Sequence, residues 1–133
     1  MREIKFRVWD VDRKHMICPP NEHLSLMISG YPMNYQTGQG GEGYLVLMQY
    51  TGLKDKNGKA IYEGDILETE PQKKIIGRGF RTAVDYRNGM FCFNPLENRD
   101  INRHALCLLM DYEPEIIGNI YENPELLKEK KNE

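Results

Sequence analysis

Apolar and polar residues alternate from Ile4 to Val8, so Ile4, Phe6 and Val8 share one face of a predicted strand and Lys5 and Arg7 the other. Trp9 continues the outward set with Arg7. Asp10 to Lys14 is polar and reads as a turn, after which Met16-Ile17-Cys18 returns as a short partner strand. Pro19 and Pro20 end it, since neither can donate to a ladder. Leu24 to Ile28 is a further expected strand. Gly30 to Gly43 is rich in glycine and poor in aliphatic residues, the pattern of a long loop.

Order returns in Tyr44 to Tyr50, an almost unbroken apolar run that suits a strand covered on both faces. Asn57-Gly58 predicts a tight hairpin turn in which both residues take positive φ, and Glu63-Gly64-Asp65 predicts a second reversal. Residues 82–86 and 90–93 flank Asn88-Gly89 as another hairpin. Between Arg103 and Met110, Leu106, Leu108 and Met110 recur at period two, which predicts a strand. Glu115 to Tyr121 is the last strand, with Gly118 expected at a bulge or a close backbone approach. Asn123 and Pro124 then carry the signature of a helix start, and Lys128, Lys130 and Lys131 suit its end. Short strands punctuated by turn residues describe a mostly β protein, a small bent barrel or sandwich closed by a short C-terminal helix.

Composition narrows the function classes. In 133 residues, 18 Lys and Arg oppose 20 Asp and Glu, for a net charge of -2. Whole-molecule attraction to nucleic acid or an anionic membrane is not expected, which leaves only local patches for that role. No apolar run reaches the roughly 18 residues of a membrane span, and the charged start has no signal-peptide core. The 3 cysteines, Cys18, Cys92 and Cys107, are odd in number and widely spread, as expected of a reduced, cytoplasmic protein without a disulfide framework.

Three stretches resemble the YopX family of bacteriophages and prophages. They are Met1 to Asp10 (MREIKFRVWD), Leu47 to Ile66 (LMQYTGLKDKNGKAIYEGDI) and Ile117 to Leu127 (IGNIYENPELL). In order and spacing they span nearly the whole chain. The resemblance implies an SH3-like β-roll or barrel, with a long N-terminal excursion and a short C-terminal helix. Residues 1–133 would then form one YopX-like domain, with N-terminal strands and glycine-rich loop in 1–43, the SH3-like core in 44–122 and the helix or tail in 123–133. It also implies phage or prophage origin and a place in the cytoplasm of the bacterial host. It carries over no catalytic residue, because the family has no established activity.

Several patterns invite a chemical reading. Gly38 to Gly43 satisfies G-x-G-x-x-G, but a loop precedes it and a strand follows, whereas a dinucleotide site needs strand, glycines and helix in that order. His15/Cys18 and His104/Cys107, with His23 and Cys92 beside them, contain enough ligands for zinc. Residues three apart in a strand face opposite sides, however, and Cys92 and Cys107 sit among Phe and Leu like small core hydrophobes. The acids Glu63/Asp65 and Asp111/Glu113/Glu115 flank turns, where such side chains commonly bond the backbone. No metal or other cofactor is therefore expected.

The local charge anomaly is Lys73 to Arg81, with Lys73, Lys74, Arg78 and Arg81 basic, no acid, and Phe80 available to stack. Arg7 and Trp9, on the outward face of the first strand, are expected to extend this surface towards a partner or nucleic acid. The bland alternative is a solvated hairpin whose lysines guard an exposed edge. Taken together, the residues describe a non-catalytic phage accessory protein that self-associates and contacts a host or phage protein. A nucleic-acid binder using Lys73–Arg81 is the alternative, and a small metal-dependent nuclease or hydrolase stands third.

Overall fold

The computed structural model describes residues 3–18, 45–69, 81–93 and 104–127. Strands account for 54% of these residues and helical turns for 14%, so the protein is mostly β as expected. The predicted strand at Leu24–Ile28 and the loop at Gly30–Gly43 lie outside the described residues, as do Lys73 to Phe80. The chain forms two compact units, Met1–Gly52 and Leu53–Glu133.

In the first unit, β1 (Phe6–Asp10) lies between β2 (His15–Ile17) and β3 (Leu45–Lys54), antiparallel to both. Lys14 turns the β1–β2 connection with φ 55, and Asp10 braces it by accepting the Asp12 and Arg13 amides at 3.1 and 3.0 Å. Val8 and Leu45 form a small core with Ile17 and Leu47. The one-faced reading of β1 needs correction. Ile4 precedes the strand and is 58% exposed, while Arg7, Val8, Trp9 and Asp10 are all buried. A central strand meets neighbours at both edges, and both of its faces are covered here. β3 keeps Leu45 and Val46 buried and then alternates, with Met48 and Tyr50 inside and Leu47 and Gln49 half-buried.

The second unit begins inside β3. After Lys54 the chain reverses into β4 (Ala60–Tyr62). The Gly58 amide bonds the Asp55 carbonyl at 2.9 Å and Gly58 has φ 82, whereas Asn57 does not enter positive φ. This is a three-residue loop ending in a left-handed glycine, in place of the two-residue turn expected from Asn57-Gly58. Asn88 and Gly89, by contrast, both take positive φ, at 54° and 79°, and join β7 (Asp85–Arg87) to β8 (Met90–Phe93) as predicted.

The expected strand at 82–86 is two strands. β6 (Arg81–Ala83) pairs with β5 (Asp65–Glu68), and β7 pairs with β8. Val84 is the corner between them. Its amide bonds the Asp65 carbonyl and its carbonyl accepts from Gly64, each at 2.9 Å. β5 also pairs with β10 (Glu115–Asn119), where the register shifts between Ile116 and Gly118, the expected irregularity.

The predicted strand through Leu106–Met110 is also corrected. Only β9 (His104–Ala105) is extended; Leu106–Tyr112 is a 3₁₀ helix. With three residues per turn, Leu106 and Leu109 point the same way, and both are buried. The period-two reading placed Leu108 with them, but it is 55% exposed. The core joins Leu106 and Leu109 to Ile61, Leu67, Val84 and Phe93. The C-terminal helix is a four-residue 3₁₀ turn at Pro124–Leu127. Asn123 does not cap it with its side chain: Oδ1 accepts the Asn119 amide at 3.2 Å instead.

Candidate functional site

Arg7 and Trp9 do not present the outward surface that strand alternation suggested. They are 7% and 8% exposed. Arg7 stands opposite Met48, and Trp9 lies opposite Val46 on one side and Met16 on the other. These apolar neighbours explain the burial of the ring. A usable signal lay in β3, whose apolar residues occupy both alternating sets; a strand paired to it shares both covered faces.

Arg81 is half-buried in the second unit and engaged within the chain. Glu68 is its cross-strand partner, and their Nε–Oε2 separation is 2.5 Å. Nη1 donates to the Leu126 carbonyl at 3.3 Å. Charged bidentate-capable groups held this way are oriented, not freely offered. Lys73, Lys74, Arg78 and Phe80 lie outside the described residues, so the basic surface is represented here by Arg81 alone.

The histidine and cysteine pairs serve different local roles. Cys92 is buried opposite Ala105, matching its expected use as a core side chain. His104 lies against the Phe93 ring at 5.7 Å. Cys107 is exposed on the 3₁₀ helix, a correction to the expectation of a core thiol, because the three-residue period turns it away from Leu106 and Leu109. Cys18 is exposed, and His23 is outside the described residues. Among the described residues no group of three or more His, Cys, Asp or Glu could hold a metal ion.

The acids flanking turns have different partners. Asp65 is buried and accepts the Tyr62 amide at 2.8 Å. Glu113 ends the 3₁₀ helix with φ 48, and Glu115 contacts Lys56 and Asn57. A well-connected carboxylate is one that sequence reading passed over. Asp55 is buried, accepting Asn57 and Lys59 amides at Oδ1, both at 2.9 Å, and the Ile116 amide at Oδ2 at 3.0 Å. Burial pushes its carboxyl up, but the amides of Ile116, Lys59 and Asn57, helped by the Lys59 charge, outweigh that effect and leave the pKa lowered. Its position at the start of a turn ending in Gly58 was the available clue. The contact with Ile116 was not, because it joins residues distant in sequence.

Among the described residues of the second unit, whose exposed positions are mostly polar, two large apolar side chains also face outward. Tyr86 is 49% exposed and packs edge-on against Phe91, centroids 5.1 Å apart, while Phe91 packs against the core. The Asp85 carboxylate accepts the Tyr86 amide at 2.8 Å and Arg87 Nε at 3.0 Å, fixing the exposed face of β7. Leu108 stands outward from the 3₁₀ helix whose opposite side supplies Leu106 and Leu109 to the core. No helix among the described residues is long and apolar enough to cross a membrane.

Comparison with known proteins supports the same broad architecture. The chain is similar to the crystal structure of protein EF1440 from Enterococcus faecalis, with 33% identity and a TM-score of 0.61 over 96% of this chain and 100% of that one. It is also similar in fold to the X-ray crystal structure of protein yopX from Bacillus subtilis, with 21% identity and a TM-score of 0.58 over 98% of this chain and 100% of that one. A search among curated proteins finds no match. The YopX protein family matches residues 5–128, and the chain belongs to that family.

Proposed function

We propose that this chain is a phage or prophage accessory protein that acts by binding, as a homo-oligomer that also contacts a host or phage protein in the bacterial cytoplasm. The observation that carries this reading is the outward placement of Tyr86 and Leu108 on elements anchored to the second unit's core. Tyrosine and leucine at such positions supply contact area at little entropic cost, since their supports are already ordered. Non-catalytic action accords with Asp55 and Asp65, whose carboxylates serve backbone amides.

Light scattering on the purified chain tests the oligomer. The expected result is a mass above that of one chain, falling to the monomer in a Tyr86→Lys/Leu108→Glu variant with an unchanged circular dichroism spectrum. A wild-type chain that stays monomeric at high concentration removes self-association. An oligomer unaffected by the variant removes these two residues from its interface.

Nucleic acid is the alternative partner, supported by the acid-free run from Lys73 to Arg81. A salt-dependent mobility shift with single- or double-stranded DNA, lost on changing Lys73, Lys74 and Arg78 to Glu, would support it. Those substitutions leave Arg81 and its intrachain contacts in place.

A further inference from the structure

The Pro124–Leu127 turn contains no buried residue, yet it is fastened on both sides. On the side facing β10, Asn119 Oδ1 accepts the amides of Tyr121 and Glu122 at 3.0 and 2.9 Å, and its Nδ2 donates to Glu122 Oε1 at 2.8 Å. The Asn123 amide bonds the Asn119 carbonyl at 2.8 Å. On the other side the turn packs against β6, where Arg81 donates to the Leu126 carbonyl. Glu68 holds the same guanidinium through Nε.

We infer that Pro124–Leu127 is a clip that leaves β6 and unwinds while the rest of the second unit stays folded, with Arg81 as its keeper and Glu68 as the group that aims the keeper. The two sides of the clip differ in strength. Asn119 gathers several short hydrogen bonds into a compact hinge, whereas among the described residues the β6 side is held by a 3.3 Å bond from a half-exposed arginine and by the half-buried Leu126 and Leu127. Segments with little buried apolar surface and few hydrogen bonds open well below the free energy of global unfolding. Leu67 and Val84 of the same unit are buried in its core cluster.

Opening changes what the surface offers. The closed clip directs Arg81 inward to a carbonyl; the open clip releases one of its donors. An anionic group on a partner that takes this guanidinium competes with the Leu126 carbonyl and holds the clip open. Engagement of the last cation in the Lys73–Arg81 run is thereby coupled to movement of the C-terminal turn.

Solvent-exchange NMR on the full chain tests the clip. The Leu126 amide, bonded to the Asn123 carbonyl at 3.1 Å, is compared with the Val84 amide, bonded to Asp65 at 2.9 Å. Leu126 should exchange at least about 100-fold faster than Val84. Arg81→Met should speed Leu126 by a further factor of about five or more while Val84 stays unchanged, as expected for loss of one charge-assisted bond. Glu68→Gln, which is milder, should speed Leu126 in the same direction and also leave Val84 alone. A common exchange rate for Leu126 and Val84 in the wild type overturns independent opening. An unchanged Leu126 rate in folded Arg81→Met or Glu68→Gln overturns the keeper assignment.

Discussion

The Asn123 side chain fills the space that a side chain at Gly118 would need. A Cβ at position 118 would stand 2.5 Å from Asn123 Oδ1, 2.8 Å from its Cγ and 2.9 Å from its Cβ. The approach coincides with the register shift in β10 and with the Asn123 bond back to the Asn119 amide. Glycine is needed here for space, because its φ is not in the left-handed region.

Gly118→Ala should therefore destabilise the protein by about 1–3 kcal/mol, through overpacking and loss of the Asn123–Asn119 bond. Combining it with Asn123→Gly removes the colliding atoms. Urea denaturation of both singles and the double should give a double variant less destabilised than the sum. Strict additivity would show that the collision is not the source of the cost.

Gly58 and Gly89 present the opposite case. A Cβ at either meets nothing within 4 Å, but both residues have φ near 80°, at 82° and 79°. Alanine at either site should cost about 1–2 kcal/mol through backbone strain alone. Their neighbours separate the two turn types. Asn88 is left-handed, so Asn88→Ala should cost about 1 kcal/mol, whereas Asn57→Ala should lie within about 0.5 kcal/mol of wild type. Equal losses at the two asparagines would contradict the observed turn geometries.

Asp55 ties the β3–β4 loop to β10, so removing its carboxylate should be among the costlier polar substitutions. Asp55→Ala strands three amides and should lose about 2–4 kcal/mol. The pH dependence has a defined sign. The folded pKa lies below the ordinary 3.8, so the unfolded chain binds the proton first and stability falls as the solution is acidified through that region. The contribution is fully present above about pH 5. Asp55→Asn should flatten this part of the stability profile measured by denaturation between pH 3 and 6, within about one pH unit of the ordinary value. An unchanged slope would show that another group carries it.

Thiol labelling checks which side chains β8 and the helix that follows β9 bury. Cys107 is exposed and should react with a maleimide in dilute native protein, while buried Cys92 should react only after denaturant is added. The reverse order would contradict the burial of Cys92 opposite Ala105 and the exposure of Cys107.

The strands and turns were largely legible because they depend on local chemistry. The extended run ending in Phe6–Val8, the Asn88-Gly89 hairpin and the irregularity at Gly118 all express restrictions carried by one residue or a few neighbours. The same local reasoning failed at Leu106–Met110. There, leucines spaced by two and by three coexist, and only docking onto Phe93 and Val84 selects Leu106 with Leu109.

Of the candidate surface, the chain alone picked out Arg81, Arg7 and Trp9 as cations and a large ring worth following. It left their settings open. Trp9 became interior because β2 and β3 flank it with Met16 and Val46, and Arg81 turned to Glu68 and Leu126 because β5 and the C-terminal turn meet β6. Tyr86 and Leu108 emerged as the outward pair by the same means. Local sequence determined where this backbone could extend and reverse, through alternation and glycine. Tertiary packing decided which side chains water still reaches, because burial is set by partners far along the chain whose positions no short stretch encodes.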